Sequence, residues 1–229
     1  DLIMNEIRKA FNQPLYLENK RVLVTAGPTR EPIDPVRFIS NRSSGKMGYA
    51  IAKTIKNYGA SVDLVSGPVS LPIISQVNII DIETSLDMKN NIDLLLEKNN
   101  YDYIFMVAAV GDYSSSNIQK QKIKSSANQF KLELNKNTDI LKRISEKSNA
   151  TIIGFALETE NGEEEALKKL MNKNIDYIVL NYANEENAGF DSNTNHVYLY
   201  SKSGLKKEFK LDRKDRIAKK IIDCIIQNV

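Results

Sequence analysis

Cysteine, histidine and tryptophan are almost missing from this chain: its 229 residues hold one Cys, one His and no Trp. A lone cysteine excludes an internal disulfide framework, and one cysteine with one histidine excludes the Cys/His clusters that hold zinc. Cys224 sits in the apolar run Ile221-Ile222-Asp223-Cys224-Ile225-Ile226 and reads as a buried small hydrophobe rather than a reactive thiol. A hydrolase triad would depend on His196 alone, and no G-x-S-x-G elbow accompanies it.

An excess of one charge is lacking too. With 32 basic and 29 acidic residues the formal net charge is +3, so no broad positive field draws in nucleic acid. No apolar run approaches the roughly 20 residues of a membrane-spanning helix, and residues 1–9 are charged rather than signal-like. The expectation is a cytoplasmic protein with no membrane contact. At 41% hydrophobic and 27% charged residues, the chain can bury one sizeable core as one globular domain.

Two nucleotide-binding fingerprints are absent. Gly27 is followed by Pro-Thr-Arg, which breaks G-x-G-x-x-G, and Gly45-Lys46 has Met47 where a P-loop needs Ser or Thr and Ser40 where it needs Gly.

What remains is an alternating pattern. Short β-branched runs at 21–26, 62–66, 77–82, 103–108, 151–156 and 177–181 predict strands, and helical spacing appears at 44–58, near 86–98, 139–147 and 162–173, and from about residue 213. Such alternation predicts an α/β fold, a mostly parallel central sheet between two helical layers. Two segments break the rhythm. Residues 109–137, polar and lysine-rich with alternating Phe130-Lys131-Leu132-Glu133-Leu134, read as an extra antiparallel arm, and 195–210 around Ser203-Gly204 read as a hairpin.

The first strand runs into residues 27–48 (GPTREPIDPVRFISNRSSGKMG), at the carboxyl end of a strand where open α/β sheets bind ligands. Ser43, Ser44, Gly45 and Lys46 at the start of a helix offer hydroxyls, amides and the positive dipole end to a phosphate. The plainer reading is one serine cap, but Ser-Ser-Gly-Lys behind Asn41-Arg42 is more than a cap needs.

Three later segments carry polar groups that residue type alone leaves open. Residues 107–113 (VAAVGDY) end a buried strand in small residues and one carboxylate, so Asp112 either meets a hydroxyl or a metal or starts a turn. Lys122-Ile123-Lys124, taken alone, reads as solvated surface. Residues 137–141 (NTDIL) fit a helix start capped by Asn137 or Thr138, and residues 154–159 (GFALET) lead to a helix on which Lys169 and Lys173, four apart, share a face.

Almost residue for residue, the 27–48 stretch resembles the signature of the bacterial phosphopantothenoylcysteine synthetases, and the likeness extends from residue 21 to about 190. The resemblance implies a Rossmann-like three-layer sandwich. It also implies a ligase joining 4'-phosphopantothenate to L-cysteine through an acyl-cytidylate, with CTP as co-substrate and Mg2+ carried mainly by the nucleotide phosphates. On that likeness Met106, Val107, Ala108, Asp112, Thr138, Asp139, Ile140, Leu141, Phe155, Lys169 and Lys173 contact the nucleotide. Lys122, on a mobile loop, closes over the α-phosphate. Asn41 holds the acyl group, Ala109 lies against the substrate, and Arg37 binds the substrate phosphate from the neighbouring subunit of a homodimer. Three positions depart from the family's usual residues: Gly111 for Ala, Gln121 for Glu and Thr138 for Pro. Residues 1–20 resemble the linker that follows a flavin-dependent decarboxylase half, with residues 21–229 as the synthetase domain. Two rival classes are a nucleotide-binding regulatory module without catalysis and a short-chain dehydrogenase-like oxidoreductase, the latter lacking both G-x-G-x-x-G and Tyr-x-x-x-Lys.

Overall fold

The computed structural model describes residues 3, 15–124, 130–185, 189 and 192–228. In chain order the elements are β1 (Arg21–Ala26), β2 (Arg30–Pro32), β3 (Phe38–Ser40), α1 (Lys46–Asn57), β4 (Ser61–Ser66), β5 (Asn78–Asp81), α2 (Ser85–Lys98), β6 (Tyr103–Met106), β7 (Tyr113–Ser115), β8 (Leu134–Lys136), α3 (Ile140–Lys147), β9 (Thr151–Glu158), α4 (Gly162–Asn172), β10 (Tyr177–Tyr182), β11 (Thr194–Ser201), β12 (Lys206–Arg213) and α5 (Lys214–Ile226).

Eight of the strands form one sheet in the order β12-β11-β10-β9-β6-β1-β4-β5. The six from β5 to β10 are parallel, and β11 and β12 extend the β10 edge as an antiparallel pair. Because side chains alternate along a strand, Val22, Val24 and Ala26 of β1 pack on one face with Ile51 and Ile55 of α1 and with Ile217, Ile221 and Ile225 of α5. Leu23 faces the other way, toward Met88 and Ile92 of α2, Ile144 of α3 and Leu170 of α4. This is the three-layer α/β arrangement expected from the pattern. Cys224 is buried in the first of these clusters.

Close packing of the first helix depends on Gly48. A Cβ there would sit 2.6 Å from the Cβ of Ala26, so only glycine lets α1 lie this near β1. The chain is already fixed before β1: Leu17 is buried in the α1/α5 cluster and its amide donates to the Tyr58 carbonyl at 2.9 Å.

Three local expectations are corrected. The proline-containing loop holds a short hairpin, β2 against β3, whose turn is closed by Asp34 Oδ1 accepting from the amides of Val36 and Arg37, both at 2.9 Å. In the arm, β8 covers Leu134–Lys136 rather than the alternating 130–134, and pairs Tyr113 with Lys136 and Ser115 with Leu134. The predicted hairpin at 195–210 is present, but as the outer edge of the main sheet.

Candidate active site

Chain order in the sheet reverses between β1 and β6, since β4 and β5 lie on one side of β1 and β6, β9 and β10 on the other. Beyond a bridge between Pro28 and Ala109, the chain from β1 leads to α1 on one face of the sheet and the chain from β6 to α3 on the other, and such a switch point is where an open α/β sheet receives a ligand. A cavity of about 450 Å³ lies here.

Sequence positions far apart meet in it. Asn41, Ser43, Ser44, Gly45 and Lys46 line it from the β1 side, and Met106, Val107, Ala108, Ala109 and Asp112 from the β6 side. Thr138, Asp139, Ile140 and Leu141 line it from the start of α3, with Phe155 from β9 and Lys169 and Lys173 from the end of α4. Arg37 and Lys122 are not in its lining.

Hydrogen bonds from backbone amides to two buried threonines shape the floor. Thr25 Oγ1 accepts from the amides of Val107 (3.0 Å) and Ala108 (3.1 Å), and Thr29 Oγ1 from that of Gly111 (2.8 Å). At position 111 an alanine Cβ would lie 3.1 Å from Glu31 Cγ, so the glycine relieves a tight contact. Asn41 Nδ2 donates to the carbonyls of Ala109 (3.1 Å) and Val110 (3.3 Å), a side-chain tie between the two loops beside their backbone bridge.

The helix starts differ from expectation. Gly45, with φ of 76°, is the N-cap of α1, and no side chain caps that helix; Ser43 Oγ instead accepts from the Gly45 amide at 3.4 Å. Amides of a first turn have no carbonyl within their own helix, and here the turn faces the cavity. At α3 the cap is Asp139, not Asn137 or Thr138: its Oδ1 accepts from the Lys142 amide at 3.0 Å. The Asn137 side chain donates instead to the Gly111 carbonyl at 2.8 Å.

Lysines supply the positive charge. Lys169 Nζ donates to the Phe155 carbonyl at 2.9 Å, and its burial pulls its pKa below the usual lysine value. Lys173 pairs with Asp139. Burial pushes the Asp139 carboxyl up, but the Lys173 ammonium and the Lys142 amide outweigh it and hold the carboxyl below its ordinary pKa.

Arg37 and Lys122 belong to a neighbouring surface. Arg37 pairs with Asp34 and donates from Nη2 to the Ile123 carbonyl at 2.7 Å, while the Ile123 amide donates to Asp34 Oδ2 at 3.1 Å. The arginine hydrogen bond holds the Asp34 carboxyl well below the usual carboxylate range. The arm is thereby pinned to the β2–β3 hairpin, and Val36, Phe38, Tyr113, Ile118 and Leu134 are exposed around it.

Sequence reasoning missed a further wall of the cavity, formed by Asn181, Asn195 and Lys214. Asn195 and Lys214 are both buried. A signal existed for Asn195: it shares the inward face of β11 with Val197 and Leu199, where an apolar residue is the norm. Lys214 carried none, since a lysine at a helix start reads as solvated.

Known proteins agree with this architecture. The family model described as the DNA/pantothenate metabolism flavoprotein C-terminal domain matches residues 17–229. The coenzyme A biosynthesis bifunctional protein CoaBC of Vibrio cholerae is 41% identical over 219 residues, 94% of this chain and 54% of that protein; the chain spans about half the length of the curated relatives it matches. A crystal structure of the C-terminal domain of CoaBC superposes with a TM-score of 0.79 at 40% identity, covering 93% of this chain and 96% of that one. A Cab2 mutant solved in complex with phosphopantothenate-cysteine shares the fold, with a TM-score of 0.76 at 18% identity over 97% of this chain and 90% of that one. The match over residues 17–229 and the shared fold together place this chain in the DNA/pantothenate metabolism flavoprotein C-terminal domain family.

Proposed function

We propose that this chain is a ligase that activates the carboxylate of 4'-phosphopantothenate with CTP and transfers the acyl group to the amine of L-cysteine. One observation carries the reading: the polar residues of four separated sequence motifs, from Asn41 to Lys173, line a single cavity at the sheet's switch point. The 27–48 signature and the CoaBC names of the relatives favour the same chemistry.

A carboxylate does not acylate an amine in water, because its oxygen is a poor leaving group. Attack of the carboxylate oxygen on the α-phosphorus of CTP forms the acyl-cytidylate and breaks the bond to pyrophosphate. The cysteine amine then adds to the acyl carbon, CMP leaves with the C–O bonding pair, and the amine proton passes to solvent. On this reading Asn41, whose Nδ2 donates to the Ala109 and Val110 carbonyls, holds the acyl group for that attack. Lys169 and Lys173 offset nucleotide charge from one wall and the α1 N-terminus from the other.

Among the described residues no cluster of three His, Cys, Asp or Glu side chains could hold a metal ion. On this reading magnesium is held chiefly by the nucleotide phosphates, and Asp112 and Asp139 are the carboxylates in the lining. When bound, the ion would neutralise charge on the triphosphate.

The Arg37–Ile123 tether, outside the cavity and ringed by exposed apolar side chains, favours a homodimer in which Arg37 of each copy serves the other's cavity, with Lys122 on its loop closing over the α-phosphate. The deciding test is pyrophosphate release from 4'-phosphopantothenate, magnesium and either CTP or ATP, on wild type and Lys122→Ala. Release with CTP that requires both the acid and Lys122 is expected. No release with either nucleotide would refute the ligase reading.

A further inference from the structure

The wall that sequence reasoning missed adjoins the phosphate cradle. Asn193 joins the two: its side-chain oxygen accepts from Lys46 Nζ at 2.8 Å, and its carbonyl accepts from the Lys214 amide at 2.9 Å. The N-termini of α1 and α5 are thus held side by side on one cavity. Neither has a side-chain cap, and Lys46 and Lys214, their first residues, both line the cavity, so both positive dipole ends lie at the same space.

Within that space two buried polar groups stand out. Lys214, the first residue of α5, is only 7% exposed; its Nζ donates to the Gly189 carbonyl at 2.7 Å, and it lines the cavity. Asn195 is 4% exposed and lines the cavity too, and its Oδ1 is buried with no hydrogen-bond partner. A buried carboxamide left this way costs about 1–3 kcal/mol and is retained where a ligand completes it. Neither a lysine nor an asparagine is needed to close the core here, since Val197 and Leu199 already fill this face of β11.

The geometry points to Lys214 and Asn195 as the seat of the two terminal phosphates of the nucleoside triphosphate, and so of the pyrophosphate that leaves. This rests on the ligase reading above. The polyphosphate lies between the N-termini of α1 and α5, with Lys46 and Lys214 on either side. The Asn195 carboxamide meets it with whichever end it turns inward: its nitrogen to a phosphate oxygen, or its oxygen to a protonated phosphate or a phosphate-bound water. Lys169 and Lys173, on the opposite wall, are left to the nucleoside and α-phosphate end. Lys214 and Asn195 act on binding of the triphosphate and on release of pyrophosphate, not on the nucleoside.

Calorimetric titration of the full chain with magnesium pyrophosphate, CTP and CMP tests this. Lys214→Met should weaken pyrophosphate and CTP about ten- to a hundredfold and Asn195→Ala about three- to tenfold, while CMP affinity stays within about twofold. Lys214→Arg, which keeps the charge, should recover most of the pyrophosphate affinity and guards against a folding artefact. Unchanged pyrophosphate affinity in a folded Lys214→Met protein, or an equal loss for CMP, would overturn the assignment. Wild type that binds pyrophosphate through Lys214 but no cytidine nucleotide would retain the anion seat and remove the ligase reading. Wild type that binds CMP and CTP, with no effect of Lys214→Met, would do the reverse.

Discussion

At the edge of the sheet where its parallel strands begin, Asp63 accepts hydrogen bonds from Tyr101 Oη at 2.7 Å, Asn78 Nδ2 at 2.6 Å and Arg21 Nε at 3.3 Å. Asp102 accepts from Lys20 Nζ and the Arg21 amide, and Asp176 from the Ile152 amide. At the edge where the same strands end, Asn195 keeps a buried oxygen unpartnered, Lys169 is pulled below its usual pKa by burial, and three helices, α1, α4 and α5, start without a side-chain cap. One edge satisfies its polar groups internally and closes the fold. The other leaves them incompletely served, which is the cost of a site that must be completed by something that comes and goes.

Breaking the ligand edge should affect activity far more than stability, and breaking the closed edge the reverse. The largest effect is expected from Asn41→Asp, which sets a carboxylate against the Ala109 and Val110 carbonyls and removes the amide donor. Product formation should fall at least about a hundredfold, and a normal rate of phosphopantothenoylcysteine synthesis would remove Asn41 from the mechanism. Next comes Gly48→Ala. A Cβ 2.6 Å from that of Ala26 should push α1 off the sheet and cost about 1–3 kcal/mol in urea unfolding, with weaker nucleotide binding because the cradle moves with the helix.

Tyr101→Phe probes the closed edge. The Tyr101 hydroxyl is held above its ordinary pKa, first by burial and then by the Asp63 carboxylate. Losing its hydrogen bond to Asp63 should cost about 1–2 kcal/mol of stability and leave nucleotide affinity unchanged; a large loss of affinity would contradict the division between the edges. The smallest effect concerns pH. Lys169 has a pKa below 10.5 in the fold, so in the window between its lowered value and 10.5 the unfolded chain binds more protons, and its contribution to stability rises with pH there. Anion binding has the opposite sign, because the ammonium is lost in that window. Nucleotide affinity should therefore decline with rising pH in wild type and respond less in Lys169→Met, and identical pH profiles would exclude Lys169 from the nucleotide site.

Strand and helix positions were legible because periodicity reports burial directly. The six parallel strands and five helices lie where β-branched runs and 3.6-residue spacing put them, give or take a few residues. The short pairs β2–β3 and β7–β8 were harder, since three residues carry too little pattern to set against prolines and lysines. The cap of α3 was misjudged for a related reason: Asn137 and Thr138 are good capping residues by type, but Asp139 occupies the position where the backbone turns. Cavity-lining residues carried by the loops after neighbouring strands could be read from motifs. Asn195 and Lys214 could not, because their place depends on the antiparallel addition of β11 and β12 to a parallel sheet, which no local pattern specifies.

The pairing of α1 with α5 also has a consequence in time. Lys219 Nζ reaches Tyr58 Oη at 2.9 Å across 161 residues of sequence, and the face of α1 turned to α5 carries Ile51 and Ile55. While the chain leaves the ribosome, that apolar face waits uncovered for most of the domain's synthesis, at a few to twenty residues per second. Closure of the core and arrival of Asn195 and Lys214 at the cavity then fall in the same late step. A nascent chain stalled before α5 would leave that apolar cluster open and the Lys214 side of the cavity missing.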